Sequence, residues 1–223
     1  MTVLRFRVTE RCAHWTHAAT FFGLLFTGLF LLIPALRYLE EGYYIQHMVT
    51  LHLYLVLPFF AAPGLILLAG GWRGFKENLR ELTSCDRSDL AWMKQFPQVL
   101  LGRQPQGVEI GKFNAGQKLH AFVIGLLTLG FSVTGGIMAT AHMELFPRWA
   151  IKLSFRLHDL LLYISVPLLL GHLFFTLIHP RTRESLHGML RGYVSLTYAQ
   201  RSHSRWAAEK LAERAEPPAP RFS

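Results

Sequence analysis

Long apolar runs without charge, separated by polar connections, set the pattern of this chain. Asp, Glu, Lys and Arg are missing from Cys12–Leu36, Gly42–Trp72, Leu119–Met143 and Leu160–Pro180. Each run reaches the roughly 20 residues that a helix needs to cross a bilayer core. A soluble domain of this size would alternate strictly or carry one apolar stripe per helix, and these runs do neither. The pattern predicts an all-α protein: an integral membrane four-helix bundle with spans at about residues 12–36, 46–71, 118–142 and 156–180. Pro58, Pro63 and Pro167 fall inside spans and predict kinks. The first run is long and has no small-residue cleavage site at the right place, so it reads as a span and not as a cleaved signal.

Charge then orients the spans. The chain has 223 residues, 51% of them hydrophobic, and a net charge of +9. Arg5, Arg7 and Arg11 precede the first span, eight basic residues lie between the second and third, and eight more follow the fourth. Together these are 19 of the 23 Lys and Arg residues. The excess of basic residues marks cytoplasmic loops, so both termini and the long middle connection are expected there. The positive charge is thus a topology signal, and no motif supports nucleic-acid binding. Cys12 and Cys85 fall on the same side, where disulfides are disfavoured. Without a Cys-x-x-Cys-His sequence, covalent c-type haem attachment is excluded. Residues 1–206 read as one membrane domain. Residues 207–223, ending "AERAEPPAPRFS", read as a polar cytoplasmic tail, a frayed helix followed by disorder. No internal repeat stands out.

The chemistry lies in histidines at membrane depth. An ionisable side chain inside a bilayer is costly and marks a functional site by default. The fourth span carries His158 and His172. Fourteen residues at ~100° each return close to the same helix face, and at ~1.5 Å each they cover ~21 Å of axis. In the predicted topology His14 lies near the cytoplasmic end of the first span, and His52 lies in the outer leaflet. Two pairs at matched depth result: His14 with His172, and His52 with His158. A bare transition metal wants three or four clustered ligands. Two imidazoles per level, between Leu and Phe walls, suit a flat apolar macrocycle instead, and bundle cores commonly house such sites. Two haem b groups, iron held by two histidines each, have no open coordination site and are built for electron transfer. His17, His47, His142 and His179 lie near the interfaces, where an amphipathic ring is ordinary. His47 competes with His52, and His17 with His14. Gly23, Gly28, Gly125, Gly130, Gly135 and Gly136 would let helices approach one another or a porphyrin face.

A second candidate site precedes the third span, in "GKFNAGQKLHAF". Asn114, Gln117, Lys118 and His120 place hydrogen-bonding groups at the cytoplasmic membrane edge, as binding of a quinone requires. The competing reading is that Asn114 caps the helix starting there.

The blocks "ERCAHW", "GKFNAGQK", the His-x13-His fourth span and "GMLRGYVSLTYAQRSHSRW" resemble the membrane cytochrome b (gamma) subunit of respiratory formate dehydrogenases. The resemblance runs from about Arg5 to Trp206. It implies a four-helix di-haem protein of the bacterial inner membrane. Its partners would be an iron–sulfur (beta) subunit and, through that, a periplasmic molybdenum or tungsten catalytic (alpha) subunit. It also implies that His14 and His172 hold the inner haem, and His52 and His158 the outer one. The quinone site, for menaquinone or ubiquinone, would involve Asn114, Gly116, Gln117, His120 and His172. The chain departs from the family pattern in "HLYL" after His52, where a proline is usual, in "SHSRW", and in His120, where an apolar residue is usual. The neighbouring alternative is the cytochrome b subunit of a nickel–iron hydrogenase or of a thiosulfate-type reductase. An alternative of another class is a cofactor-free anchor or small transporter, for which Asp159 alone at a span's edge gives poor support.

Overall fold

A computed structural model describes residues 1–33 and 43–215. The expected end of the first span, at Leu36, lies outside the described residues. Helix α1 is Val8–Leu32, α2 is Tyr43–Ile66 and α3 is Trp72–Thr83, with a π-helical turn at Leu67–Gly71 between the last two. Short helices α4 (Arg87–Lys94) and α5 (Phe96–Leu100) follow. The next two long helices are α6 (Ala115–Ala139) and α7 (Arg148–Leu173), the latter extended by a π turn at Phe174–Ile178. Helices α8 (Ser185–Arg191), α9 (Leu196–Ser202) and α10 (Ser204–Ala215) complete the described chain. Four helical segments are long and apolar enough to cross a membrane: Val8–Leu32, Tyr44–Thr83, Ala115–Ala139 and Arg148–Ile178. Helix and apolar run do not coincide at their ends, because hydrogen bonding continues into charged turns such as Val8–Arg11. The helix that contains Pro58 and Pro63 is interrupted at Gly70, whose φ of 157° is open only to a residue without a Cβ.

The chain forms two compact units. The first, the span unit, comprises residues 8–75 and 123–170. Its burial is the inverse of a soluble core. Thr27, Thr134, Ser154 and Ser165 are buried, while Tyr54 and Leu57 are about three-quarters exposed at 75% and 73%. Small residues let backbones approach, and their hydroxyls bond back to the carbonyls of their own helix, as Ser165 Oγ does to Leu162 O at 2.9 Å. Large apolar side chains turn outward, where lipid or a partner's helix meets them.

The second, the terminal unit, comprises residues 1–7, 76–122 and 171–223. It adds a feature absent from the all-α expectation: strands β1 (Thr2–Leu4) and β2 (Tyr193–Ser195), antiparallel with Val3 opposite Val194. Three residues are too few for period-2 alternation to show. Gly192, at φ 89°, ends α8 in the left-handed region, and its carbonyl accepts from the Arg5 and Phe6 amides. Val3, Val194, Tyr198, Ala199, Trp206 and Ala207 form the adjoining core. Arg5 is buried beneath it, with its guanidinium against the Phe6, Tyr198 and Trp206 rings and Nη2 donating to Lys112 O at 2.9 Å. Burial pulls its pKa below the ordinary arginine value. The tail, expected as a frayed helix followed by disorder, is helical through Ala215, with Ala207 seated in this core. Residues 216–223 lie outside the described residues.

The start of α10 is tied to the segment that leads into α6. Arg205 N donates to Ile110 O at 3.0 Å, Ile110 N to Ser204 Oγ at 3.2 Å, and His203 Nδ1 to Gly111 O at 3.0 Å. Arg205 also pairs with Asp86 at 3.0 Å. Asp86 caps α4 in a reciprocal capping box with Asp89. The Ser88 hydroxyl, and then Arg205, hold the Asp86 carboxyl well below the usual carboxylate range.

Candidate haem and quinone sites

In the span unit α2 brings His52, and α7 brings His158, to the same place. Their ring centroids lie 6.4 Å apart with the planes at 68°. Two metal–imidazole bonds of about 2 Å, plus about 1.1 Å from each nitrogen to its ring centre, place two axial imidazoles about 6 Å apart, centre to centre. The pair therefore fits the iron of a haem b between its rings. Among the described residues no cluster of three or more His, Cys, Asp or Glu gathers, so these two rings meet without a further ionisable ligand.

Each ring is held by a threonine from the preceding helix. Thr27 Oγ1 donates to Gly23 O at 2.9 Å and stands 2.7 Å from His52 Nδ1. Thr134 Oγ1 donates to Gly130 O at 2.7 Å and stands 2.8 Å from His158 Nδ1. A hydroxyl has one proton, and here a carbonyl takes it. With the proton donated to that carbonyl, the threonine oxygen accepts and the histidine donates from Nδ1. In that arrangement both rings have Nε2 unprotonated, the form that binds iron.

The surroundings match as closely. A Cβ on Gly23 would stand 2.9 Å from Leu55, three residues beyond His52. A Cβ on Gly130 would stand 2.9 Å from Leu161, three residues beyond His158. Gly28 and Gly135 follow the two threonines and lie beside the rings, with Cβ positions 3.7 and 3.4 Å from His52 Cε1 and His158 Cε1. The sequence signal is "GLLFTG" at residues 23–28 and "GFSVTG" at 130–135. The sequence reading found no internal repeat and passed over both threonines. The repeat is only six residues long, and its variable positions, Leu-Leu-Phe in one copy and Phe-Ser-Val in the other, do not match each other.

In the terminal unit Asn114 caps α6. Gln117 N donates to Asn114 Oδ1 at 2.9 Å, and Asn114 N donates to Gln117 Oε1 at 3.0 Å. The capping reading of Asn114 is therefore realised. Both amide oxygens are committed to the backbone, which leaves each NH2 as the group able to donate to a ligand carbonyl. Gly116 is where the Trp92 ring approaches: a Cβ would stand 2.8 Å from it. Lys118, buried, pairs with Asp89 at 2.8 Å and fixes the same turn. Asn114 and Trp92 line a narrow cleft with Ser88, Asp89, Ala115 and Arg205. One turn into α6, the His120 ring stacks on that of His172, with centroids 5.3 Å apart and planes at 10°.

The remaining histidines separate clearly. His14 lies partly buried beside Trp15, with ring centroids 5.3 Å apart. His17 packs on Phe59 at 4.2 Å. Buried His179 is bonded at both nitrogens, to Val99 O and to the Thr182 hydroxyl, each at 3.1 Å. His47 and His142 are exposed.

Four apolar spans and a half-buried pair of histidines with matched supports define a membrane cytochrome of the b type. The sequence model of the prokaryotic cytochrome b561 family matches residues 5–192, and the chain belongs to that family. The family implies haem b, which the His52–His158 pair fits. The chain is 26% identical over 208 residues to the nitrate-inducible formate dehydrogenase cytochrome b556(Fdn) subunit of Escherichia coli K12, covering 93% of this chain and 91% of that one. It is 26% identical over 217 residues to the formate dehydrogenase cytochrome b556 subunit of Haemophilus influenzae, covering 96% and 86%. To the cytochrome b556(fdo) subunit of Escherichia coli K12 it is 24% identical over 213 residues, covering 93% of each.

Proposed function

We propose that this chain is the di-haem cytochrome b subunit of a formate dehydrogenase complex in the bacterial inner membrane. It would pass electrons from a periplasmic-side iron–sulfur subunit, fed by a molybdenum or tungsten catalytic subunit, to quinone at the cytoplasmic side. The observation that carries this reading is the His52–His158 pair, 6.4 Å apart and supported at both Nδ1 atoms. Relatives that match almost end to end and are named formate dehydrogenase cytochrome subunits support the choice of complex.

On this reading His52 and His158 hold the outer haem, and His14 and His172 the inner one. Haem b held by two imidazoles supplies one-electron transfer and has no open site for other chemistry. Every remaining role belongs to the chain's own residues. Gly28 and Gly135 leave room beside the outer pair. The NH2 groups of Asn114 and Gln117 donate to the carbonyls of a quinone, menaquinone or ubiquinone. His120, stacked on His172, is the imidazole placed to pass a proton at that end. Gly116 and Trp92 shape the wall.

A pyridine haemochrome assay on the purified complex should give two haems per chain. His172→Ala should lose one haem together with quinone reduction, and His158→Ala should lose the other. A His172→Ala complex that reduces quinone normally with both haems present would overturn the assignment. Full haem content in a complex that takes electrons from hydrogen or a sulfur compound, and not from formate, would move the chain to another cytochrome b complex.

A further inference from the structure

We propose that Thr27 and Thr134 are a matched pair of positioning residues. Each accepts the Nδ1 proton of its histidine, locks that ring's tautomer and orientation, and so sets the reduction potential of the haem between His52 and His158. The inference rests on the reading of those two histidines as haem ligands and deepens it.

Four observations converge. Both threonines are buried, at 1% and 5% exposure, so no water competes for the hydroxyls. Each hydroxyl lies within hydrogen-bond reach of the carbonyl four residues back, and with its proton there it accepts from the ring. The two ring contacts agree, at 2.7 and 2.8 Å. The supporting unit, Gly-x-x-x-Thr-Gly on one helix against His-x-x-Leu on the next, occurs once for each ligand. A threonine in a membrane helix needs only its own carbonyl for satisfaction. Two of them aimed at the two partners of one site are a device of that site.

The physical effect has a sign. A ligating histidine that donates its other N–H becomes a more basic ligand and is fixed in tautomer and plane. A more basic ligand favours the more positively charged, oxidised iron and lowers the potential. Removing the acceptor also leaves a buried N–H unsatisfied, which costs the full desolvation penalty of that group.

The test uses the intact complex, with Thr27→Val, Thr134→Val and the corresponding serine variants, read by redox titration of each haem. Valine keeps the shape and removes the acceptor, whereas serine restores it. The outer haem of either valine variant should titrate at higher potential. The expected size is up to about a tenfold change in the reduction equilibrium, which is 59 mV for one electron. The inner haem should stay in place, and serine should return the outer one towards wild type. Loss of the outer haem in valine but not serine variants supports the same role, read as affinity. Wild-type potentials in both valine variants would overturn the proposal, and so would serine variants displaced as far as valine, which would mark a steric role. If His52→Ala and His158→Ala leave both haems in place, the ligand reading fails instead, and that result is distinct from any change at the threonines.

Discussion

At the scale of the residue, the two sites differ in how much of their chemistry is already committed to the backbone. Asn114 is the clearest case, because it can serve the helix, the ligand, or both. Its oxygen caps α6, and its NH2 is the only part left for a quinone carbonyl. The two duties separate on substitution. Asn114→Ser keeps an oxygen at the cap and should hold stability nearly unchanged, while Asn114→Ala should lose about 1 kcal/mol. If the NH2 group serves quinone, both variants should raise the KM for quinone severalfold with haem content intact. A serine variant with wild-type kinetics would reduce Asn114 to a cap. This division was legible in the sequence only as two competing readings, since an Asn three residues before Gln fits either. The His52–His158 pair was legible because hydrocarbon makes a histidine conspicuous. The threonines that hold them were not, because a hydroxyl in a span satisfies itself and leaves no anomaly of composition.

At the scale of the element, the ends of helices carry the information that span hydropathy missed. Hydropathy placed four helices, but it is blind to the three-residue strands and to the way α10 fastens the segment before α6. That fastening depends on His203, which is 1% exposed and donates from Nδ1 to Gly111 O. Burial holds its pKa well below the ordinary histidine value, and the positive charge of Arg5 adds to this. Tyr198 and Trp206 face the ring but bring no charge. A histidine kept neutral in the fold costs nothing above its unfolded pKa of about 6.5. Below that value the unfolded segment takes up a proton that the folded one refuses, so stability falls as pH falls. The protection factors of Ser204–Ala215 against hydrogen exchange, taken relative to the intrinsic rate at each pH, should therefore fall between pH 7.5 and 5.5. His203→Asn, which can keep a donor to Gly111 without titrating, should flatten that dependence. Asp86 has the opposite shift in charge state but the same sense of loss on acidification. Its depressed carboxyl contributes in full above the ordinary carboxylate range and loses that contribution progressively as pH falls below about 4 towards its lowered folded value. The two losses thus fall in separate windows. Equal acid sensitivity in wild type and His203→Asn would remove His203 from the account.

At the scale of the whole molecule, one physical constraint ties sequence, fold and function together: electrons can be carried between two faces only if the chain has a fixed orientation. Basic residues are concentrated in the segments that build the terminal unit, which includes Arg5, Arg103, Arg181 and Arg205, while between the third and fourth apolar runs there are only Arg148, Lys152 and Arg156. If the positive-inside rule holds for this chain, Asn114, His120 and His172 would lie at the cytoplasmic face and the connection before Arg148 at the periplasmic face. The direction of electron flow proposed above follows from this placement. With the orientation reversed, the same residues would put quinone reduction on the side of the iron–sulfur donor. Fusion reporters decide the matter. Alkaline phosphatase, active only outside the cytoplasm, should be active when joined within residues 140–147 and silent when joined after Ala215. A fluorescent protein that matures only inside should give the reverse pattern. Activity of the phosphatase at the C-terminal junction would invert the topology, and with it the assignment of His14 and His172 to the quinone end.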